Sequence, residues 1–165
     1  MNTQPKLDTR NAQPYAGIRT QVPMQELSKV IPQLLGETFG WLGQHGIAPA
    51  GAPFIRYHII DMAATMDIEI GVPVASAVSG DGRVSAGELP VGRYGSLVYT
   101  GVSNGIEGNK ALLDWGAEQS IKWDTYESDK GDGFAARYES FLTNPDDEPD
   151  PAKWETEVAI RLGDK

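Results

Sequence analysis

The spacing of apolar and polar positions changes several times along the chain, and each change marks an element. Residues 14–22 (PYAGIRTQV) alternate loosely, as a half-buried strand does. Ile31, Leu34, Leu35, Thr38, Phe39 and Leu42 then recur at helical spacing. Pro32 fits the first turn of that helix, with a separate turn from about Met24 to Lys29 before it, and Gly46 stops it after His45. A Gly/Pro/Ala loop leads to FIRYHIID (54–61), a strand, and the link MAAT leads to a second strand, MDIEIGVPV (66–74). In that strand Asp67 and Glu69 alternate with Ile68, Ile70 and Val72. SGDG (79–82) is a turn, and residues 83–101 hold one or two strands around Pro90-Val91-Gly92. A second helix is expected from about Ile106 to Trp123, with Leu112, Leu113, Trp115 and Ile121 apolar. KWDTYESDKGDG reads as a polar loop, and Gly133 to Leu162 as a strand, a Pro/Asp loop and a second strand. Residues 1–13 read as a flexible polar arm.

The order of elements repeats. Strand, helix, strand, strand occurs at about 14–74 and again at about 83–162. Phe54-Ile55-Arg56-Tyr57-His58 matches Phe134-Ala135-Ala136-Arg137-Tyr138-Glu139 around its Arg-Tyr pair, and Asp67-Ile68-Glu69-Ile70 matches Glu155-Thr156-Glu157-Val158. The expected fold is therefore α+β: two strand-helix-strand-strand modules in a pseudo-twofold duplicated unit, with an antiparallel sheet and a central cleft. Residues 14–165 form one domain on this reading, and pockets favour such junctions between units.

Composition narrows the chemistry. The 165 residues suffice for one compact domain with a real core. Acidic residues outnumber basic ones 23 to 14, for a net charge of −9, and no basic run appears, which argues against nucleic acid as a partner. The same field weakly favours cationic small molecules. The chain has no cysteine, so disulfides, thiol chemistry and Cys-ligated metals are excluded. His45 and His58 match no metal spacing, and the Asp146-Asp147-Glu148 run reads as a solvated acidic loop rather than a calcium site. No nucleophile elbow or catalytic triad is evident, and neither cofactor nor metal is expected. The polar N-terminus does not read as a signal peptide, and no apolar run approaches the roughly 20 residues of a membrane helix, so a cytoplasmic protein with no membrane partner is expected.

One acid stands out. Glu139 lies among Phe134, Tyr138, Phe141 and Leu142. An unpaired buried charge is costly, so either Glu139 lies on a solvated face or it meets a ligand in a pocket. Strand alternation puts Arg137, Glu139 and Phe141 on one face, with Tyr138 and Leu142 on the other. Trp41, Trp115, Tyr57, Tyr94, Tyr99, Tyr138, Phe141 and Trp154 are the aromatic candidates for the same cleft, and not all can point into it. Trp41 reads as core or as a ligand-facing ring, and His58 as a cleft residue or a hydrogen-bonded structural one. Glu157 reads as a second cleft carboxylate or, the preferred reading, as a partner of Arg137 or Arg161.

YESFLTNP…DPAKWETEVAIRL resembles the end of the GyrI-like, or AraC-type effector-binding, family. GAPFIRYH, DIEIGVPV and ELPVGRYGSLVYTG resemble its middle blocks, including a Leu-Pro-Xaa-Gly segment and the Tyr-Thr-Gly before the second helix. Leu112 to Trp115 resembles its helix, and the likeness spans roughly residues 14–162. The resemblance implies two strand-helix-strand-strand modules that bind small, often lipophilic and cationic molecules in an aromatic-lined cleft. It also implies a ligand-facing glutamate on the penultimate strand, matched here by Glu139. The candidate ligand-binding set is Glu139, Phe141, Trp115, Trp41, Tyr57, Tyr94, Tyr99 and His58. Members fused to DNA-binding helices act as drug-sensing regulators; this chain lacks room for such a domain and is expected to be a stand-alone binder. The alternative the resemblance keeps open is a hydrolase of electrophilic, cyclopropanoid-type molecules, with Glu139 as general base or electrostatic stabiliser. A third possibility is an interaction module whose cleft takes a segment of a protein partner.

Overall fold

A computed structural model describes residues 2–61 and 64–163. Met62 and Ala63 of the expected MAAT link lie outside the described residues. The strands are β1 (Lys6–Arg10), β2 (Gln13–Pro23), β3 (Phe54–Ile60), β4 (Thr65–Pro73), β5 (Ser85–Leu89), β6 (Gly92–Thr100), β7 (Thr125–Ser128), β8 (Gly131–Phe134), β9 (Arg137–Phe141) and β10 (Glu155–Arg161). The helices are α1 (Leu27–Gln44) and α2 (Gly105–Glu118). The strands pair antiparallel in one curled sheet of order β1-β6-β10-β9-β3-β4-β2-β5, with the β7–β8 hairpin attached to β3.

This order is symmetric about the β9–β3 pair: β6, α2, β9 and β10 repeat β2, α1, β3 and β4. One row of cross-strand partners shows the consequence. It runs Ile18, Ile70, Ile55, Glu139, Val158, Leu97 across six strands. Directly opposed residues share a face, so all six side chains point the same way. Ile18, Ile70 and Ile55 belong to the core under α1, and Val158 and Leu97 to the core under α2. Both helices therefore cover the same face. α1 lies mainly over β4 and β2, and α2 over β6, which leaves β3, β9 and β10 as the floor of a central cleft.

The register corrects one part of the repeat. Ile70 matches Val158, as expected, but its neighbour Ile55 then matches Glu139, and Tyr57 matches Phe141. The two Arg-Tyr pairs are not equivalent. Arg56 opposes Glu69 and Tyr138 on the face away from the helices, whereas Arg137 shares the face of Glu139. A dipeptide match cannot report which face a strand residue occupies.

Four further expectations change. α1 begins at Leu27, so Pro32 lies inside the helix rather than in its first turn. Pro32 is exposed and removes one intrahelical hydrogen bond. α2 ends at Glu118, short of Trp123: Ser120 adopts φ 56°, and Trp123 turns back to bridge Leu162. Gly95 and Gly116 make room for its indole, because a Cβ on Gly116 would stand 2.5 Å from the ring. The polar stretch after α2 is the β7–β8 hairpin; β7 is mostly exposed, and the two strands lack the apolar alternation that marks a strand. Finally, the N-terminal stretch read as an arm forms β1 along β6. Arg10 ties it down with a bidentate pair to Glu157, at 2.9 and 3.1 Å. Glu157 is thus paired, to Arg10 rather than to Arg137 or Arg161.

The face opposite the helices has its own core of Tyr15, Phe54, Leu89, Tyr94, Ala136, Tyr138 and Ala159. Edge-to-face ring contacts at 5.0–5.9 Å link Tyr15, Phe54, Tyr138 and Tyr94. A cavity of about 350 Å3 lies against this cluster, lined by Arg10, Phe54, Tyr94, Tyr138 and Glu157 among others. No helix among the described residues is long and apolar enough to cross a membrane.

Ile70 is fully buried beneath α1. Ile70→Ala is expected to cost about 2–5 kcal/mol in a urea unfolding titration; a loss under about 1 kcal/mol, the scale of Ile→Val, would contradict this packing.

Candidate functional site

Glu139 occupies the middle of the row just described, between five aliphatic residues and beneath the gap between the helices. It is only 9% exposed, so the cleft is closed down over it. Its two carboxylate oxygens are treated differently. Oε2 accepts a 2.7 Å hydrogen bond from Asn109 Nδ2 on α2. Oε1 receives only long contacts, from the hydroxyls of Tyr57 (3.3 Å) and Tyr99 (3.5 Å). An ionised carboxylate has about four lone-pair sites, so Oε1 has capacity to spare.

Asn109 holds two charges apart. Its Oδ1 accepts 2.9 Å from Arg137 Nη2, while its Nδ2 also donates to Gly105 O at 2.8 Å. Arg137 and Glu139 lie on one face of β9, and the amide relays between them. The Arg137 guanidinium lies over the Phe134 ring, 4.8 Å from its centroid. Tyr57 and Phe141 flank Glu139 along the same sheet face and pack toward the core under α1. Ile106 and Leu113 share the flank of α2 that carries Asn109, and Ile106 is 70% exposed at the rim.

Burial governs the ionisation of this group. Desolvation raises the Glu139 pKa, opposed by the Asn109 bond, the Arg137 charge and the two tyrosines. Desolvation, then the Glu139 charge, raises the Tyr57 and Tyr99 hydroxyls, so both remain donors at neutral pH. Desolvation also depresses Arg137, with Glu139 and Tyr57 pulling the other way.

The two halves differ at the centre of this group. Aligned on the shared row and on Trp41 against Trp115, the first half has Ile55 where the second has Glu139, and Leu35 where the second has Asn109. The same framework is built once with apolar residues and once with a buried acid and its amide. The fold does not require the acid.

Of the expected set, the structure brings Glu139, Tyr57, Tyr99 and Phe141 together. Trp115 lies roughly 120° round α2 from Asn109, packed against Gly95 in the core under α2. Trp41 is buried in the core under α1 and stacks on His45, with ring centroids 4.1 Å apart. Tyr94 and His58 lie on the opposite face. Tyr94 donates to Pro90 O at 2.7 Å, and burial pushes its hydroxyl up to about 12. His58 sits where the β3–β4 register shifts, with Nε2 2.9 Å from Glu69 Oε1. Tyr15 donates to the same oxygen at 2.6 Å, and Arg56 donates to the Tyr15 hydroxyl at 3.0 Å. Those contacts lower the Glu69 pKa against the effect of its burial. Of the two residues that complete the Glu139 group, Arg137 was visible only as a same-face neighbour. Asn109 was not singled out, although an amide three residues before the buried Leu112 was a signal.

The raised pKa fixes the sign of a pH effect. Between the ordinary carboxylate value and the raised one, the folded chain holds a proton that the unfolded chain has released. Stability contributed by Glu139 is therefore present at low pH and lost as pH rises through that window. Glu139→Gln, which cannot ionise, is expected to melt above the parent at pH 7 and to lose that advantage on acidification below the ordinary carboxylate range. Melting curves across pH check this; a variant less stable than the parent at pH 7 would contradict it.

Residues 3–162 match the model of the GyrI-like small molecule binding domain. Curated protein sequences yield no match. Among solved structures, the EcmrR C-terminal domain superposes with TM-score 0.72 at 17% identity, covering 97% of each chain. In the EcmrR–DNA complex this chain spans 57% of the EcmrR chain's length, at TM-score 0.73 and 17% identity. SAV2435 bound to tetraphenylphosphonium superposes with TM-score 0.60 at 11% identity, over 98% of this chain and 95% of that one. A hydrolase from Listeria innocua gives TM-score 0.64 at 10% identity, over 97% and 92%. At such identities the likeness to these structures shows a shared fold; the match to the family model over nearly the whole chain shows that this protein belongs to the GyrI-like small-molecule-binding domain family.

Proposed function

We propose that the chain binds a lipophilic molecule carrying a delocalised positive charge, seated in the central cleft over Glu139. One observation carries this reading. At the midline of the helix-covered face a carboxylate stands in one half where the other has Ile55, and among the described residues its Oε1 has two contacts, of 3.3 and 3.5 Å. A cation placed there offsets the cost of burying the acid and adds attraction to the faces of Tyr57 and Phe141, each contact worth roughly 0.5–2 kcal/mol. The neighbour SAV2435, solved with tetraphenylphosphonium, supports this ligand class. Because Glu139 is covered in the structure, entry requires the cleft between α1 and α2 to widen.

The raised Glu139 pKa favours a second reading, in which the acid acts as a general base on a bound electrophile. Intact ligand recovered stoichiometrically after incubation, as judged by mass spectrometry, supports the binder; a hydrated or ring-opened product supports the hydrolase.

The ethyl ester of rhodamine B, a flat lipophilic cation, is expected to bind with Kd on the order of 1 μM, about −8 kcal/mol. Glu139→Gln is expected to weaken it at least tenfold in a fluorescence titration. Equal affinity in parent and variant would remove Glu139 from the site.

A further inference from the structure

Arg137 is not explained by a receptor for simple cations. Other arginines whose partners are defined spend their charge on carboxylates: Arg10 on Glu157 and Asp8, Arg19 on Asp67, Arg83 on Glu37 and Arg161 on Asp124. Arg56 spends both terminal nitrogens on Tyr15 and two backbone carbonyls. Among the described residues Arg137 makes one hydrogen bond, to Asn109 Oδ1, and its Nε, like that of Arg56, has no partner. No carboxylate oxygen of the described residues lies within ion-pair distance of it. A guanidinium offers five donors in a rigid fork, so most of this one is unspent.

The charges of the cleft add to zero: one carboxylate, Glu139, and one guanidinium, Arg137, linked only through the Asn109 amide. A ligand that brings only a cation leaves buried Glu139 and half-buried Arg137, together with the ligand, one positive charge in excess. A ligand that brings a cation and a carboxylate leaves none, and its carboxylate matches the empty side of the fork. We infer that Arg137 is a specificity-determining residue that binds a carboxylate of the ligand, so that the preferred ligand is a zwitterion: a lipophilic cationic body over Glu139 and an acid against Arg137. This rests on the cleft being the binding site, as proposed above. The Phe134 ring beneath the guanidinium holds the fork in place, and Asn109, which touches both charges, sets their separation.

Rhodamine B and its ethyl ester test this directly. They share one ring system and one positive charge, and the free acid adds only a carboxylate. Wild-type protein is expected to bind the acid at least fivefold more tightly than the ester. Arg137→Met should weaken the acid at least tenfold and leave the ester unchanged or tighter. Arg137→Lys, which keeps the charge and loses the fork, should weaken the acid at least threefold without affecting the ester, and it decides the matter if the methionine variant does not fold. If the ester binds and the acid binds no better, or if either variant weakens both dyes alike, the role of Arg137 is overturned while the cation site stands. If neither dye binds the wild type, the cation site and this inference fall together.

Discussion

The structure is organised by the cost of placing an ionisable acid at the midline of an apolar sheet face. Five aliphatic side chains share the row with Glu139, which is only 9% exposed and bonded by Asn109 of α2. Moving a carboxylate into such surroundings costs several kcal/mol after relaxation. The chain offsets part of that with the Asn109 amide and the nearby Arg137 guanidinium, and leaves part uncompensated at Oε1. An incompletely satisfied charge raises the energy of the empty protein and makes binding of a complementary group more favourable. The same feature that weakens the fold above the ordinary carboxylate range is the one on which the proposed cation site rests.

The two faces of the sheet divide the labour. On the far face, Tyr15 and His58 meet Glu69 Oε1 at 2.6 and 2.9 Å, with Arg56 donating to the Tyr15 hydroxyl behind, and Glu69 ionises more readily than an ordinary carboxylate despite its burial. On the helix face, Glu139 has one short bond and ionises less readily. The two buried glutamates thus shift in opposite directions: burial outweighs the opposing contacts at Glu139, and the contacts outweigh burial at Glu69. The saturated network pins the sheet. The unsaturated one belongs to the cleft, where the duplication has been broken by exchanging Ile55 and Leu35 of one half for Glu139 and Asn109 of the other.

Much of this architecture was legible in the sequence, because it rests on periodicity and on element order. The duplicated modules and the face shared by Arg137, Glu139 and Phe141 follow from spacing alone. The polar hairpin β7–β8 was not legible, since its residues carry no alternating apolar signal, and β1 was not, since backbone pairing and one arginine hold it. Trp115, Tyr94 and His58 show the limit for the site. Sequence can nominate an aromatic or a histidine but cannot say on which flank of a helix or face of a sheet it lies. Trp115 points away from Asn109 round α2, and a register shift in β3 sends His58 to Glu69.

The account is tested most directly by a crystal structure of the protein with the ethyl ester of rhodamine B bound. It predicts the dye between α1 and α2, its charged rings against Tyr57 and Phe141 and within contact of Glu139 Oε1. A dye lodged instead in the cavity beside Tyr94 and Tyr138, with the contacts of Glu139 unchanged, would contradict it.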